Sequence, residues 1–225
     1  MPIGISFFFI FTGDMRTAST IALLACIFLA GCKEKDVQSP VIRLNGDGFI
    51  TVTLNDTFVD PGATATDETD GEIAVSTSGI VDTDMEGNYQ ISYRASDAAG
   101  NTTTAIRIVS VVNAATHFTG LYQADTWQSP DSASFSSHVS TSTTINQRIW
   151  LVGIGLFSQA VIYANIIGDS LIVPKQPCTL SGTEHFFSAR GVVLGQDPLQ
   201  FNLDFNDSTS GTLNFGTTTY QKLNP

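Results

Sequence analysis

Tyr89-Gln-Ile-Ser-Tyr-Arg-Ala-Ser96 alternates without a break: Tyr89, Ile91, Tyr93 and Ala95 fall on one side, Gln90, Ser92, Arg94 and Ser96 on the other. A period of two sends successive side chains to opposite faces of a sheet, so the stretch is a half-buried strand. Glu86-Gly87-Asn88 turns the chain into it, and Asp97-Ala-Ala-Gly-Asn101 turns the chain out. Gly100 and Asn101 suit that exit because both tolerate a positive φ. Thr102 to Val112 returns as a second β-branched strand and closes a hairpin. Ile50-Thr-Val-Thr-Leu54 alternates in the same way. On both sides of these segments, short β-branched runs alternate with Gly, Pro, Ser and Thr, and no long stretch keeps a helical period with caps. The pattern is that of an all-β protein.

The chain has 225 residues, 42% of them hydrophobic and only 14% charged, which excludes a disordered polymer. Acidic residues number 21 against 10 Lys plus Arg, a formal charge of −11. That balance excludes nucleic acid as a partner, because phosphate binding needs clustered Lys and Arg. The acidity is concentrated in residues 41–112, where Arg43, Arg94 and Arg107 stand against an excess of Asp and Glu.

After residue 117 the strands continue. Gly120–Thr126, Ser134–Ser140, Thr144–Val152, Val161–Ile167, Leu171–Val173, Phe186–Leu194, Leu199–Phe205 and Gly211–Phe215 are the expected ones, with Thr218–Leu223 closing the sheet. Gly168-Asp169 fits a two-residue hairpin turn. In the Leu199 strand, Gln200, Asn202 and Asp204 alternate with Phe201, Leu203 and Phe205. So many strands in residues 117–225 predict either a second β-sandwich or a small closed β-barrel. The segment Asn113-Ala-Ala-Thr116 is a short junction between the two domains.

Phe58-Val-Asp-Pro-Gly-Ala-Thr-Ala-Thr-Asp67, Asp70-Gly71, Gly87-Asn-Tyr-Gln-Ile-Ser-Tyr93 and Asp97-Ala-Ala-Gly-Asn101 occur in order and spacing that resemble a bacterial immunoglobulin-like module first named from a pesticidal crystal protein. The resemblance covers residues 41–112. It implies a small β-sandwich of about seven strands that serves as a spacer or adhesive unit without an enzymatic site. Phe118-Thr-Gly-Leu-Tyr122 and Leu171-Ile-Val-Pro-Lys-Gln176 are similar to C-terminal domains of uncharacterised bacterial lipoproteins, a resemblance that brings no activity with it.

The amino-terminal segment resembles a bacterial lipoprotein leader. Arg16 gives a positive start, Ile21 to Ala30 is an apolar run, and Leu29-Ala30-Gly31-Cys32 has the form of a lipobox. The run is of signal-peptide length, roughly 7–15 residues, and short of the about 20 that span a bilayer. Met1 to Asp14 is unusual ahead of such a leader, and translation is expected to start at Met15. The resemblance implies cleavage after residue 31, a lipid on Cys32 and a tether over residues 32–40. Lys33 after the cysteine then implies the outer membrane, with exposure at the cell surface as a further expectation. Cys26 would leave with the leader, so Cys178 would remain without an intrachain disulfide partner.

The candidate sites follow from residue chemistry. Asp67, Glu68, Asp70 and Glu72 cluster within a few residues, and Ca²⁺ favours several such oxygens, although solvated turn carboxylates give the same pattern. No other cofactor is expected. Trp127, followed by Gln-Ser-Pro-Asp131, fits an exposed aromatic flanked by polar groups that would stack on a sugar ring, with Tyr122 and Asp131 beside it. The alternative is that Trp127 and Trp150 are both core, Trp150 the more so because it sits in the apolar run Ile149 to Val152.

No catalytic set stands out. His117, His138 and His185 show no zinc spacing, and there is no Gly-x-Ser-x-Gly elbow. Glu184 and His185, adjacent on a strand, would face apart. Gly153-Ile-Gly155 lacks the third glycine and the helix of a phosphate loop, and Cys178 is expected to be a small buried thiol. The sequence therefore predicts a non-enzymatic, lipid-anchored protein whose second domain binds an extracellular glycan or protein. The alternative is a small-ligand carrier or hydrolase on that domain. An exposed aromatic patch beside an acidic cleft favours the glycan, a deep apolar cavity the carrier, and a fully packed interior with no cleft a purely structural role.

Overall fold

The computed structural model describes residues 35–209 and 211–223; the leader and Cys32 lie outside them. The first half is a two-layer sandwich. One sheet holds β1 (Val41–Leu44), β3 (Ala63–Asp67) and β4 (Gly71–Ile73), in the order β1-β3-β4. The other holds β2 (Phe49–Thr53), β5 (Val75–Ser78), β6 (Gly87–Ser96) and β7 (Thr102–Val112), in the order β2-β7-β6-β5, with β2 and β7 parallel. The hairpin read from the alternating stretch is the β6–β7 pair, in register from Gly87↔Val111 to Ser96↔Thr102. Its turn uses Gly100 at φ 93°, and the Asp97 carboxylate accepts from the Asn101 backbone N–H. Ile91, Tyr93 and Ala95 are buried and Gln90, Arg94 and Ser96 are exposed, as the period of two requires.

The core between the sheets holds Val52, Leu54, Ile91, Tyr93, Val109 and Val111. Into it projects one charge. Arg107 lies on the inward side of β7 and is fully buried. Its Nη1 pairs with Asp60 and donates to Tyr93 Oη at 2.6 Å. Nε donates to Asp47 O at 3.0 Å, and Nη2 to Asn45 O at 2.7 Å and Gly62 O at 3.3 Å. One guanidinium thus satisfies the β1–β2 turn and the β2–β3 loop together. Burying a charge is tolerated when it is paired and fully hydrogen-bonded, and this one is.

The second half is a closed antiparallel barrel, which decides between the two architectures expected from the sequence. Its strands are β8 (Gly120–Gln128), β9 (Asp131–Thr141), β10 (Arg148–Ile154), β11 (Phe157–Ile167), β12 (Ser170–Leu180), β13 (Thr183–Gln196), β14 (Leu199–Thr209) and β15 (Thr212–Lys222). Each pairs with its sequence neighbour, and β15 closes onto β8 through Thr217↔Trp127 to Lys222↔Tyr122. The two carboxy-terminal strands expected from the sequence are one strand, β15. The short strand expected at Leu171–Val173 runs on through Pro174 and Pro177 to Leu180. The prolines fit because the β11–β12 ladder stops at Asn165↔Ile172, so neither has to donate to β11. Gln176 replaces the lost ladder with its side chain, accepting from Tyr163 N at 3.0 Å and donating to Tyr163 O at 2.9 Å.

The lumen is filled. Phe118, Tyr122, Phe201 and Tyr220 pack ring against ring, with Phe201 stacked on Tyr220 at 4.7 Å and edge-on to Tyr122 at 5.4 Å. Tyr122 Oη donates to Phe118 O and Tyr220 Oη to Gly153 O, each at 2.7 Å. Both phenols are pushed well above the ordinary range by burial. Around them lie Ile149, Leu151, Ile162, Leu171, Leu203 and Phe205. At Gly191 the wall has no room for a side chain, since a Cβ there would sit 1.8 Å from Asn202 O. The outward residues of β14, Gln200, Asn202, Asp204 and Asn206, are polar, whereas Phe201, Leu203 and Phe205 face in. On this strand the polarity is the reverse of a lipid-spanning one. Among the described residues, no helix is long and apolar enough to cross a membrane.

Sandwich and barrel belong to one compact unit, residues 39–225. Their joint is bonded, not merely short. Asn113, buried, donates from Nδ2 to Ser142 O at 2.8 Å and Ile145 O at 3.0 Å. Its Oδ1 accepts from Ala115 N and Gln147 N, both at 2.9 Å. Asn55 reaches the same β9–β10 loop through Thr144 O and Asn146 N, and Glu86 N donates to Thr143 O at 2.7 Å.

Candidate functional site

Trp127 is the outermost aromatic of β8. Strand alternation turns Tyr122, Ala124 and Thr126 into the lumen and Leu121, Gln123, Asp125 and Trp127 to the outside. The indole is 63% exposed. Its register partner on β15 is Thr217, Thr217 pairs with Asp204 on β14, Asp204 with Arg190 on β13, and Arg190 with Ile172 on β12. These residues form one row across five strands of the outer wall. At about 4.8 Å between strands, the row is about 19 Å long.

The row is also the floor of a groove of about 680 Å³, whose wall includes Phe215, Asn206 and Pro174. Phe215 is 60% exposed. A smaller depression of about 270 Å³ adjoins it and shares Ile172, Arg190 and Asp204. Within the groove, Thr217 Oγ1 donates to Asp204 Oδ1 at 2.7 Å, which leaves Asp204 Oδ2 for another donor. Arg190 is exposed and makes no ion pair or hydrogen bond to any described residue. The site therefore offers two exposed ring faces, a cation, a carboxylate, an amide and a hydroxyl on one rigid sheet. Ring faces suit the C–H face of a sugar, and the planar polar groups suit its hydroxyls.

Of the residues singled out from the sequence, the structure brings only Trp127 to this groove. Tyr122 is a correction: it lies inside the barrel, fully buried, because it is odd by one strand step from an outward position. Asp131 is exposed and opens β9 opposite Gln128, outside the groove. Trp150 is also not core. It is 38% exposed and edge-on to Tyr163 at 5.6 Å, since the inward places of β10 go to Ile149 and Leu151. Arg148 stacks over the same Tyr163 ring at 4.1 Å. Arg190, Asp204, Asn206 and Phe215 were missed. Each lies on a strand with clear alternation, so its outward face was legible, but the neighbours across the barrel were not.

The acidic cluster is split. Glu68, Asp70 and Glu72 are exposed, while Asp67 is 8% exposed and its Oδ1 accepts from Thr69 N at 2.8 Å and Asp70 N at 3.1 Å. Asp70 Oδ2 accepts from Ala98 N at 2.8 Å. What approaches Asp67 within the sandwich is Asp97, not Glu68 or Glu72.

One histidine has a partner that the sequence did not reveal. His185 Nδ1 lies 3.0 Å from Asp207 Oδ1 and 2.7 Å from Thr209 Oγ1. Its ring packs between Phe157 and Phe187. Both polar partners sit on Nδ1. A nucleophile served by a His–Asp pair would sit on Nε2, and no described hydroxyl or thiol does. The dyad braces one end of the barrel. Cys178 is half-buried on β12 opposite His185.

No match was found among curated proteins. Solved structures give three distant likenesses. A lipoprotein of Bacteroides thetaiotaomicron is 19% identical, over 81% of this chain and 100% of that one, with a TM-score of 0.34. The CBM51-2 and INT domains of Clostridium perfringens ZmpB, in complex with GlcNAc, are 14% identical over 81% of this chain and 44% of that one, with a TM-score of 0.28. A Nostoc punctiforme protein of the DUF3598 family is 13% identical over 71% and 72%, with a TM-score of 0.30. Scores of this size fall short of a shared fold. The sandwich has firmer company: residues 42–111, about a third of the chain, match the family described as bacterial surface protein, Ig-like domain, and this domain is of that immunoglobulin-like type.

Proposed function

We propose that the chain is a non-enzymatic protein of the bacterial cell envelope, held to the outer membrane by a lipid on Cys32, whose barrel binds an extracellular glycan in the groove beside Trp127. The observation that carries this reading is the pair of exposed rings, Trp127 and Phe215, on a groove whose floor also holds Arg190 and Asp204. An exposed indole in a concave, polar-rimmed site has no packing purpose, and stacking is its chemical use. The sandwich acts as a spacer. Its longest hairpin strands, 10 and 11 residues, give it a length of about 35 Å. The bonded joint at Asn113 would hold the barrel at a set angle, not on a loose string. A carrier reading finds less support, because the aromatic cluster occupies the lumen where such a ligand would sit.

A glycan array probed with the full chain tests the binding claim. The expected result is retention of a defined glycan class that Trp127→Ala reduces at least tenfold with unchanged thermal unfolding. Equal retention by Trp127→Ala, or no retention by the parent, would refute it. Labelling with a fatty-acid analogue in the native host tests the anchor: Cys32→Ala should lose the label.

A further inference from the structure

At the end of the sandwich remote from the barrel, the β3–β4 turn meets the β6–β7 turn. Asp70, in the first turn, accepts the Ala98 N–H of the second at 2.8 Å and so holds the two together. This contact brings Asp67 against Asp97, with carboxylate oxygens within 4.8 Å of one another. Both side chains are nearly out of solvent, at 8% and 9% exposure.

Their hydrogen bonds leave capacity unused. Asp67 Oδ1 is occupied by two backbone N–H groups, but Asp67 Oδ2 is buried with no hydrogen-bond partner. Asp97 accepts the Asn101 N–H on Oδ1 and the Asn101 Nδ2 on Oδ2, both at 2.7 Å, with the Ala99 and Gly100 N–H groups also turned toward its carboxyl. Among the described residues, no Lys, Arg or His forms an ion pair with either carboxylate. A buried carboxylate oxygen without a partner is costly, and a second carboxylate facing it adds repulsion. No described hydrogen bond joins the two carboxylates, and oxygens within 4.8 Å of one another suit one shared ion at about 2.3–2.6 Å from each.

We propose that Asp67 and Asp97 form a Ca²⁺ site that locks the β3–β4 turn to the β6–β7 turn. All the donors are hard oxygens, which disfavours zinc. Mg²⁺ would need shorter bonds of about 2.0–2.1 Å and a near-octahedral shell. Waters complete the coordination. Asp70 is a positioning residue, and exposed Glu68 and Glu72 take no part. The site lies in the other half of the molecule from the Trp127 groove and does not depend on the glycan reading.

The test is calorimetric and thermal titration of the full chain, stripped with a chelator, using CaCl₂ alone. Saturable binding is expected in the range of extracellular Ca²⁺ modules, a Kd of about 10⁻⁴–10⁻³ M. At 10 mM Ca²⁺ the Tm of the sandwich should rise by several degrees. Asp67→Asn keeps an acceptor for the turn N–H groups and should lose the response, as should Asp97→Asn, whereas Glu68→Gln should keep it. The proposal is overturned if the parent chain shows neither heat nor Tm shift. It is equally overturned if MgCl₂ gives the same response, or if either Asn variant retains the full effect. Should one variant fail to fold, the other and the parent titration decide.

Discussion

Arg107→Met is the most informative perturbation of the sandwich. The substitution keeps the volume and the apolar stem of the side chain but removes the guanidinium. Asp60, 24% exposed at its side chain, loses its countercharge. The carbonyls of Asn45, Asp47 and Gly62 lose their donor. Removing one partner of a buried ion pair costs about 3–5 kcal/mol. A domain of this size holds a total of roughly 3.5–10 kcal/mol, so much of the stability of the sandwich rests on this one side chain. With a slope of about 2 kcal/mol/M, the urea midpoint should fall by at least about 1.5 M. Hydrogen exchange of the β6 and β7 amides along a urea gradient reads that midpoint. Fluorescence of Trp127 and Trp150, both in the barrel, reads the other half of the molecule and should move far less. Asp60→Asn should be nearly as damaging, because it leaves a fully buried cation without a carboxylate. The reasoning fails if Arg107→Met costs under about 1 kcal/mol, since then the buried charge would be a tolerated passenger.

The remaining predictions concern the joint and the pH limits. Asn113→Ala strips from the seam between the halves the side-chain hydrogen bonds to Ser142, Ile145, Arg148 and Gln147; it should cost about 2–3 kcal/mol and open the 113–116 segment to limited proteolysis, with near-parental resistance counting against a bonded joint. Asp60 is pushed up by burial but more strongly held down by the Tyr93 hydroxyl, the Gly62 N–H and Arg107, so its carboxyl titrates below the ordinary range. Its contribution is intact above an unfolded value near 4 and lost as pH falls through the lowered one. Tyr93 moves the other way: burial, then its hydrogen bond to Asp60, push it up to about 12. That contribution is full below about 10 and lost as pH rises through about 12. Urea midpoints of the sandwich should be flat from about pH 5 to 9 and fall on both sides, and Tyr93→Phe should flatten the alkaline limb.

Strand alternation made most of the sandwich legible, because each strand there has one wet and one dry face. Tyr89 to Ser96 announced β6 by itself, and Asp97 to Asn101 announced its turn. What alternation could not announce was that an arginine takes an inward place. Arg107 follows Ile106 and precedes Ile108, so local hydropathy puts the charge outside and the isoleucines inside. The structure inverts this, with Ile106 47% exposed and Arg107 buried, because Asp60 arrives from another part of the chain to pair with it. The Asp of the Phe58-Val-Asp-Pro-Gly stretch is thus explained by a residue 47 positions away. In the barrel, Pro174 and Pro177 hid the second half of β12 for a related reason: proline forbids a ladder bond, and the sequence does not show that the neighbouring ladder has already ended.

The candidate groove was legible one residue at a time and illegible as a site. Trp127, Thr217, Asp204, Arg190 and Ile172 sit on five strands and share only an outward parity and a register. Parity can be read from each strand alone. Register depends on closure of β15 onto β8 and on the bulges at Val152/Ile154, Val173/Gln176 and Val193/Gly195. The second and third each shift a strand by one residue relative to its partner and the first by two, and a one-residue shift exchanges the faces. Tyr122, by contrast, is a matter of parity alone: five residues before Trp127 on the unbulged β8, it falls on the lumen side. Which residues share the candidate face therefore depends on where the bulges fall. A deletion that removes the bulge between Val193 and Gly195 would pull Arg190 out of line with Asp204 while leaving the composition of the groove unchanged.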